Sequence, residues 1–471
     1  MTMDLSRFPY LQGNYAPIDS ERDFDVPELH IEGTVPEQLV GAFMRNGANT
    51  AYEPIHYVYP LDGAGMIHAL YFDRGQVHYR NRWVQTSHLR TERHFNRTIY
   101  GSPGKLVPVP QDVIDAGGEP SPLKNTSNTN VLLHGGNLYS LWEGGFPHLM
   151  TPGLDTVGLY DYDGYLKHGD ALSAHPKICP VTGELISCTQ RWDEPYFTLQ
   201  IFDKHGKPAK AFEVPMPRKA IIHDLQICGD HVVIFYPPAY HDMASAMAGK
   251  DPFCWEPETP AKIAAIHRDS GEITWFETPA FFSWHFCNGY RQGDTLIVDY
   301  IWLQQIPFAQ DMNSGLEKQT RNMHRMTLDL ASGAVTDTKI SDIYCEFSRA
   351  DDRRCGLAYR YGFATASNRE WNDAHGYNCT VRFDFERGEQ QLWEYGPEAN
   401  AGEPVFVPNP DSEREEDGFV MCYVYNPGED PFISILSAGD IAAGPVAKVH
   451  VPGRIPNGFH ANWMQDLTLG A

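Results

Sequence analysis

Four histidines in this chain sit in surroundings that suit metal ligation. His175 lies in Ser173-Ala-His-Pro-Lys177, His223 in Ile221-Ile-His-Asp-Leu225, His285 in Trp284-His-Phe-Cys-Asn-Gly-Tyr290 and His460 in Pro456-Asn-Gly-Phe-His-Ala-Asn-Trp463. Three glutamates occupy apolar or turn-rich segments, where a carboxylate is costly to bury. They are Glu143 in Leu141-Trp-Glu-Gly-Gly145, Glu346 in Tyr344-Cys-Glu-Phe347 and Glu403 in Gly402-Glu-Pro-Val405. In chain order Glu143, His175, His223, His285, Glu346, Glu403 and His460 are separated by 32, 48, 62, 61, 57 and 57 residues. A residue that returns at the same place in successive repeats points at a common axis. Neutral imidazole binds ferrous iron well, and a ligating histidine usually donates its other ring N–H to a carboxylate. Four imidazoles backed by three carboxylates would therefore hold iron with positions left open for dioxygen or a substrate. The plainer reading, a histidine satisfied within a β framework, stays open for these four. It is the reading taken for His30, His56, His68, His78, His88, His134, His148 and His168.

Other chemistries find less support. There is no Gly-x-Ser-x-Gly elbow, no phosphate-binding glycine loop of the Walker or Rossmann kind and no His-Glu-x-x-His. The acidic run Asp411-Ser-Glu-Arg-Glu-Glu-Asp417 could suggest calcium, but a solvated loop between strands fits it better.

The elements that must position these residues read as short strands. Asn137–Trp142, His231–Tyr236 and Thr295–Tyr300 each follow a Gly-Gly or Gly-Asp pair, the usual punctuation before a strand. Convincing helices are few, and 35 Pro with 41 Gly favour an all-β chain. An apolar-Asp-spacer-Gly unit recurs at Phe72–Gly75, Phe202–Gly206, Arg268–Gly271, Leu328–Gly333 and Phe383–Gly388, with looser versions at Tyr162–Gly164 and Leu436–Gly439. Each reads as a hairpin turn. Seven such units predict a seven-bladed β-propeller with a four-stranded sheet per blade. The stretch from about 86 to 130 breaks the rhythm, with Pro-rich pieces and a short helix near Gln111–Ala116. It is read as a cap of loops and short helix inserted on one face of a single propeller domain, residues 1–471.

Composition narrows the function. Lys+Arg of 37 against Asp+Glu of 61 gives a formal charge of -24, which repels polyphosphate and anionic lipid, so nucleic acid is not an expected partner. The start, Met1-Thr-Met-Asp-Leu-Ser-Arg7, has no basic segment leading into an apolar one, so no signal peptide is expected. No run approaches a membrane span. Nine Cys, an odd count without Cys-x-x-Cys, suit reduced thiols in a cytoplasm.

At these motifs the chain resembles the carotenoid cleavage oxygenase family, which also includes stilbene-cleaving enzymes and a retinoid isomerase. The resemblance runs nearly end to end. It is carried by Tyr10-Leu-Gln-Gly-Asn-Tyr-Ala-Pro17, Gly33–Gly41 followed by Arg45-Asn-Gly47, Asp62-Gly-Ala-Gly-Met66 and Tyr79-Arg-Asn-Arg82, then by His-Pro-Lys, His-Asp, His-x-x-Asn and Gly-Phe-His in order. The resemblance implies a seven-bladed propeller with Fe(2+) on the axis, ligated by His175, His223, His285 and His460 and supported by Glu143, Glu346 and Glu403. It further implies that Thr129, in Asn128-Thr-Asn-Val131, crowds one open iron position. Dioxygen is then the co-substrate, no organic cofactor is needed, and an aromatic-lined tunnel admits the substrate. Ala64, Gly289 and Ala461 depart from residues common in the family.

Stilbene-cleaving relatives typically carry Lys immediately before the first Glu. Here that residue is Trp142, which offers a stacking face to a polyene. The expectation is an iron(II) dioxygenase that cleaves a C=C bond of an apocarotenoid or carotenoid, with Phe281, Phe282, Trp284 and Phe286 as candidate tunnel residues. The alternatives are a stilbene or phenylpropenoid dioxygenase giving aromatic aldehydes, a non-enzymatic binding scaffold and a polyene isomerase. The expected partner is an apolar conjugated small molecule. Weak peripheral membrane contact follows from that substrate, and no obligate protein partner is expected.

Overall fold

The strand His231–Tyr236 is buried at every position, not at alternate ones. Its successive side chains point to opposite faces, so both faces must be covered. Val232 and Ile234 enter one apolar cluster, while Val233 and Phe235 enter another. This is the signature of a sheet stacked between two others, and it explains why the strands read as continuous apolar runs.

The computed structural model describes residues 5–25, 28–57, 62–102, 105–242, 245, 253–307, 320–369 and 376–469. Seven antiparallel sheets form the blades of a β-propeller. In ring order they span 40–83, 130–159, 171–213, 226–278, 286–339, 344–394 and 400–450. An apolar cluster fills each space between neighbouring blades, seven clusters in all. Each fully buried Leu, Ile, Val or Phe in them contributes about 1.5–3 kcal/mol, which holds the blades edge to axis without covalent staples. All nine cysteines are free thiols.

Both closing blades draw strands from opposite parts of the chain. Ala461–Gln465 pairs with Val40–Arg45 at the inner edge of the first blade, and His30–Gly33 pairs with Pro445–His450 at the outer edge of the last. Five of the Asp-x-Gly units are hairpin turns at the outer strands: Asp73–Gln76, Asp203–Pro208, Asp269–Ile273, Asp329–Val335 and Asp384–Glu389. The looser unit at Tyr162–Gly164 is instead a turn in the connection between two blades, ahead of Ala171–Leu172. The acidic run joins Val405–Pro408 to Gly418–Tyr425, and two of its carboxylates are taken up by arginines and a backbone N–H. Arg354 and the Arg360 N–H meet Glu415, and Arg414 meets Glu416.

The 86–130 stretch holds the expected short helix, Gln111–Asp115, and a longer one that the sequence reading did not separate, Ser87–Phe95. Ser-His-Leu-Arg-Thr-Glu-Arg-His-Phe offers too few apolar residues to show a helical period. Its start signal is Thr86, whose Oγ1 accepts the Leu89 N–H at 3.1 Å. Leu89 packs on Ala64, Met66 and Trp83, and the buried Glu92–Lys124 pair at 2.7 Å ties the helix to the chain that follows. Among the described residues no helix is long and apolar enough to cross a membrane.

Closure depends on close backbone approach at Gly41. Its φ is +147°, and a Cβ there would stand 2.5 Å from Met464 O and 2.7 Å from the Trp463 ring. Gly41→Ala is therefore expected to destabilise the fold by about 1–4 kcal/mol. Urea unfolding checks this, and an unchanged midpoint would contradict the closing role of this contact.

Candidate metal centre

The inner strands neighbour one another around the ring: Gln226–Cys228, Phe286–Gln292, Tyr344–Ala350, Val405–Pro408, Ala461–Gln465 and Asn130–His134. The histidines sit at or just ahead of these strands. His285 and His460 immediately precede theirs, His223 stands three residues before Gln226, and His175 lies between Ala171–Leu172 and Lys177–Ile178. Four connections therefore bring four imidazoles to one point. One nitrogen of each lies within 4.8 Å of the others, and all four residues are buried.

Two glutamates share this register. Glu346 is in Tyr344–Ala350 and Glu403 falls between Asn400–Ala401 and Val405–Pro408. Glu143 does not. It follows the second strand of its blade, Asn137–Leu141, and the inner position of that blade is taken by Thr129, just before Asn130–His134. Glu143 therefore stands on a different strand from the other rungs of the ladder, which accounts for its irregular 32-residue step. Glu143 nevertheless reaches the cluster, because the end of that second strand lies beside Thr129, whose N–H donates to Leu141 O at 3.0 Å.

Each glutamate meets one imidazole at Nδ1. Glu143 lies 2.6 Å from His223, Glu346 2.5 Å from His285 and Glu403 3.1 Å from His460. With Nδ1 donating, Nε2 is the free lone pair. The buried Nε2 atoms of His175 and His285 have no hydrogen-bond partner among the described residues, a costly condition unless a metal takes the lone pair. Electrostatics favour the neutral ring at His175 and His460. Burial, reinforced by His460 and His223, holds His175 well below the usual imidazole range. Burial brings His460 down to about 4 against the pull of Glu403. His223 runs the other way: burial works to lower it, but Glu143, joined by Asp224 and Glu346, raises it. Burial works to raise the Glu403 carboxyl, yet His460 and Arg349 bring it down to about 2, so it stays an acceptor. The donor set of neutral imidazoles fits a divalent transition metal.

Supporting residues hold the four segments together. Asp224 is the chief of these. Its Oδ1 accepts from Lys177 Nζ at 2.6 Å and from the Leu225 N–H at 2.7 Å, while Oδ2 accepts the Phe286 N–H at 3.0 Å. One carboxylate thus fixes chain next to His175, His223 and His285, in three successive blades. This is what the Lys of His-Pro-Lys and the Asp of His-Asp do, and their adjacency to the ligands was the available signal. The fourth segment is gripped by Arg45-Asn-Gly47. The Asn46 N–H donates to His460 O at 3.0 Å, Asn46 O accepts from Phe459 N–H at 2.9 Å, and Arg45 Nη2 donates to Pro456 O at 2.7 Å. Arg349 adds an ion pair to Glu403 at 3.5 Å and donates to Ala461 O at 3.0 Å.

A cavity opens on this cluster, lined by Thr129, His223, His285, Glu346, Glu403 and His460, with Tyr10, Tyr15, Trp284, Phe347, Tyr377 and Phe459 among its aromatics and Arg45 and Arg321 among its charged residues. Of the aromatic run before the third ligand only Trp284 lines it, edge-on to His223 at 4.9 Å. Phe281, Phe282 and Phe286 turn into the clusters between blades, because strand alternation and the blade stack claim them. Trp142 is buried. Its indole covers Gly144, where a Cβ would stand 2.4 Å from the ring. Phe347 was not anticipated. It adopts φ +51°, unusual for a non-glycine residue, its N–H donates to Glu346 at 2.5 Å and its ring stacks on His285 at 5.0 Å. Gly289 departs from the family pattern for a visible reason: a Cβ there would stand 2.4 Å from Cys228 Sγ.

The family model described as retinal pigment epithelial membrane protein matches residues 15–465. The chain is 29% identical to an isoeugenol monooxygenase of Pseudomonas nitroreducens, over 97% of this chain and 98% of the relative. It is 29% identical to apocarotenoid-15,15'-oxygenase of Synechocystis, over 96% and 98%. Among solved structures, a cobalt-substituted Synechocystis apocarotenoid oxygenase superposes with a TM-score of 0.85 at 28% identity, covering 95% of this chain and 97% of the other. A lignostilbene dioxygenase of Pseudomonas brassicacearum superposes with a TM-score of 0.84 at 26% identity, covering 98% and 99%.

Because Asp224 and Glu346 act only through the segments and rings they hold, replacing their charge should loosen metal without removing a ligand. Asp224→Asn and Glu346→Gln are each expected to weaken metal binding about 10- to 100-fold, measured by competition with a chelator. Affinity unchanged in both variants would remove the positioning role assigned to these carboxylates.

Proposed function

The chain belongs to the carotenoid cleavage oxygenase family, and from that membership we propose an iron(II)-dependent dioxygenase that splits one C=C bond of an apocarotenoid or carotenoid. The observation that carries the proposal is the buried cluster of four histidines, three of them held at Nδ1 by glutamates, opening onto an aromatic-lined cavity. His175, His223, His285 and His460 would hold the iron, and glutamates occupy Nδ1 of the last three, which leaves their Nε2 atoms for it. When bound, ferrous iron supplies the activation of dioxygen. The reaction balances without another reagent: R–CH=CH–R′ and O2 give R–CHO and R′–CHO.

The protein's own groups do the rest. Glu143, Glu346 and Glu403 fix ring orientation and keep the imidazoles as lone-pair donors. Thr129 narrows the space beside the cluster, and the side chains of Trp284, Phe347 and Phe459 give the cavity an apolar wall that favours a conjugated chain over water. Such a substrate partitions into lipid, so weak peripheral membrane contact of an otherwise cytoplasmic protein belongs to this proposal. So does the assignment of residues 86–130 as a cap on one propeller domain.

A phenylpropenoid or stilbene substrate is the second reading. Two observations favour it. An isoeugenol monooxygenase and a lignostilbene dioxygenase match nearly the whole chain. And the cavity carries the polar groups of Arg321 and Tyr377. In either case the alkene is cleaved to two carbonyl products.

Protein purified without added metal is expected to hold about one iron per chain, the capacity of a single four-histidine centre, and to consume dioxygen with an apocarotenal. Mass spectrometry of the products from an apocarotenal and from isoeugenol or a hydroxystilbene separates the two readings. His223→Ala and His285→Ala should lose iron and turnover together. Full turnover by iron-free protein would overturn the proposal.

A further inference from the structure

The closing strand at the opposite edge of the last blade carries a second constellation of metal-binding groups. His30 on His30–Gly33 stands directly opposite His450 on Pro445–His450, and Glu32 stands opposite Lys448. Residues two apart on a strand share a face, so His30, Glu32, His450 and Lys448 crowd one side of this two-strand edge. The imidazole rings lie 5.2 Å apart, His450 Nε2 is 2.9 Å from Glu32 Oε1, and one donor atom from each of His30, Glu32 and His450 lies within 4.8 Å of the others. The sequence offered His30 only as a structural histidine; the pairing register is what gives it partners.

We propose that His30, Glu32 and His450 form a second site for a divalent transition-metal ion of the zinc class, which clamps the strand His30–Gly33 to the last blade. Two imidazoles and one carboxylate are a ligand set such ions take with a solvent molecule in the remaining position. Calcium and magnesium prefer all-oxygen surroundings and are not served by this set. The histidines are accessible: His30 is exposed and His450 partly so. The other carboxylate oxygen, Glu32 Oε2, is held by Lys448 Nζ at 3.1 Å, which leaves Oε1 as the ligand atom, and the Phe432 ring packs on His450 at 5.2 Å and steadies it. The overall charge of -24 favours cation capture.

The clamp has something to secure. His30–Gly33 is a four-residue edge strand with only Ile31 packed on the apolar cluster beneath. Gly33 approaches so closely that a Cβ would stand 2.3 Å from Val446 O, so this strand cannot slide without losing its register. An ion bound across both strands binds the closed ring and not the open one, and so stabilises closure by an amount that grows with the logarithm of its free concentration above the dissociation constant. The site lies on the outer edge of the ring, whereas the four-histidine cluster is at the inner edges. It is independent of the function proposed above.

The test is zinc titration of chelator-washed full-length protein, compared with His30→Asn/His450→Gln and with Glu32→Gln. Both variants leave the axial histidines untouched. The wild-type protein is expected to bind one more zinc per chain than the double variant, and its thermal midpoint to rise with zinc more than that of the variant. Glu32→Gln, which keeps both imidazoles and a side chain of the same shape, is expected to bind the additional zinc at least tenfold more weakly. Turnover is expected to be the same in all three. Equal zinc stoichiometry in the wild-type protein and a folded double variant overturns the site, and so does zinc affinity unchanged in Glu32→Gln.

Discussion

Burying a carboxylate beside an imidazole, inside a stack of apolar sheets, is the constraint around which this structure is arranged. Removing a carboxylate from water costs several kcal/mol unless it is paired and hydrogen-bonded. Glu346 and Glu403 are almost fully buried, and each is matched by one imidazole and by a backbone N–H, of Phe347 and Ala461 respectively. The pairs cross between blades: His285 with Glu346, His460 with Glu403, and His223 with Glu143 over the intervening blade that carries His175. Losing the register between blades would leave these charges unpaired, so the chemistry of the centre and the closure of the ring depend on each other.

The apolar clusters between blades supply that register. Packed interiors deform little, so a strand buried on both faces can neither rotate nor slip, and the loop ahead of it is delivered to a fixed place. Fine placement then falls to a few polar residues. Asp224 joins three blades at the level of three histidines, Asn46 and Arg45 grip the segment before the fourth, and Arg349 holds Glu403 and Ala461 in one group. These contacts lie behind the rings. The Nε2 side is left to whatever binds there.

The cavity follows from the same arrangement. The loops that end on the axis also form its walls, so aromatic groups such as Trp284 and Phe347 touch the histidines directly. Phe347 reaches this position only through a backbone conformation that few non-glycine residues adopt, at a cost of order 1–3 kcal/mol, offset by its stacking on His285 and its N–H bond to Glu346.

Much of this was legible in the chain. Its apolar runs and turn residues specify strands, and five of the recurring Asp-x-Gly units mark blade hairpins, although the unit at Tyr162–Gly164 falls between blades. Residue type, spacing and neighbours singled out the four histidines, and the family resemblance completed the choice. Pairing could not be read the same way. Glu143 looked like a rung of the ladder and is not, since spacing along the chain does not say which strand of a blade a residue occupies. Trp142, Phe281, Phe282 and Phe286 looked suited to a substrate and are taken up by packing, because which way a side chain points depends on bulges and on the neighbouring blade. Thr129 at the inner position, Asp224 across three blades and His30 opposite His450 are all contacts between residues far apart in sequence. Local periodicity carries no information about them. The sequence determined what each unit is and which groups it brings. Only the closed ring decided which groups meet, because the distance between blades is set by the packing between them.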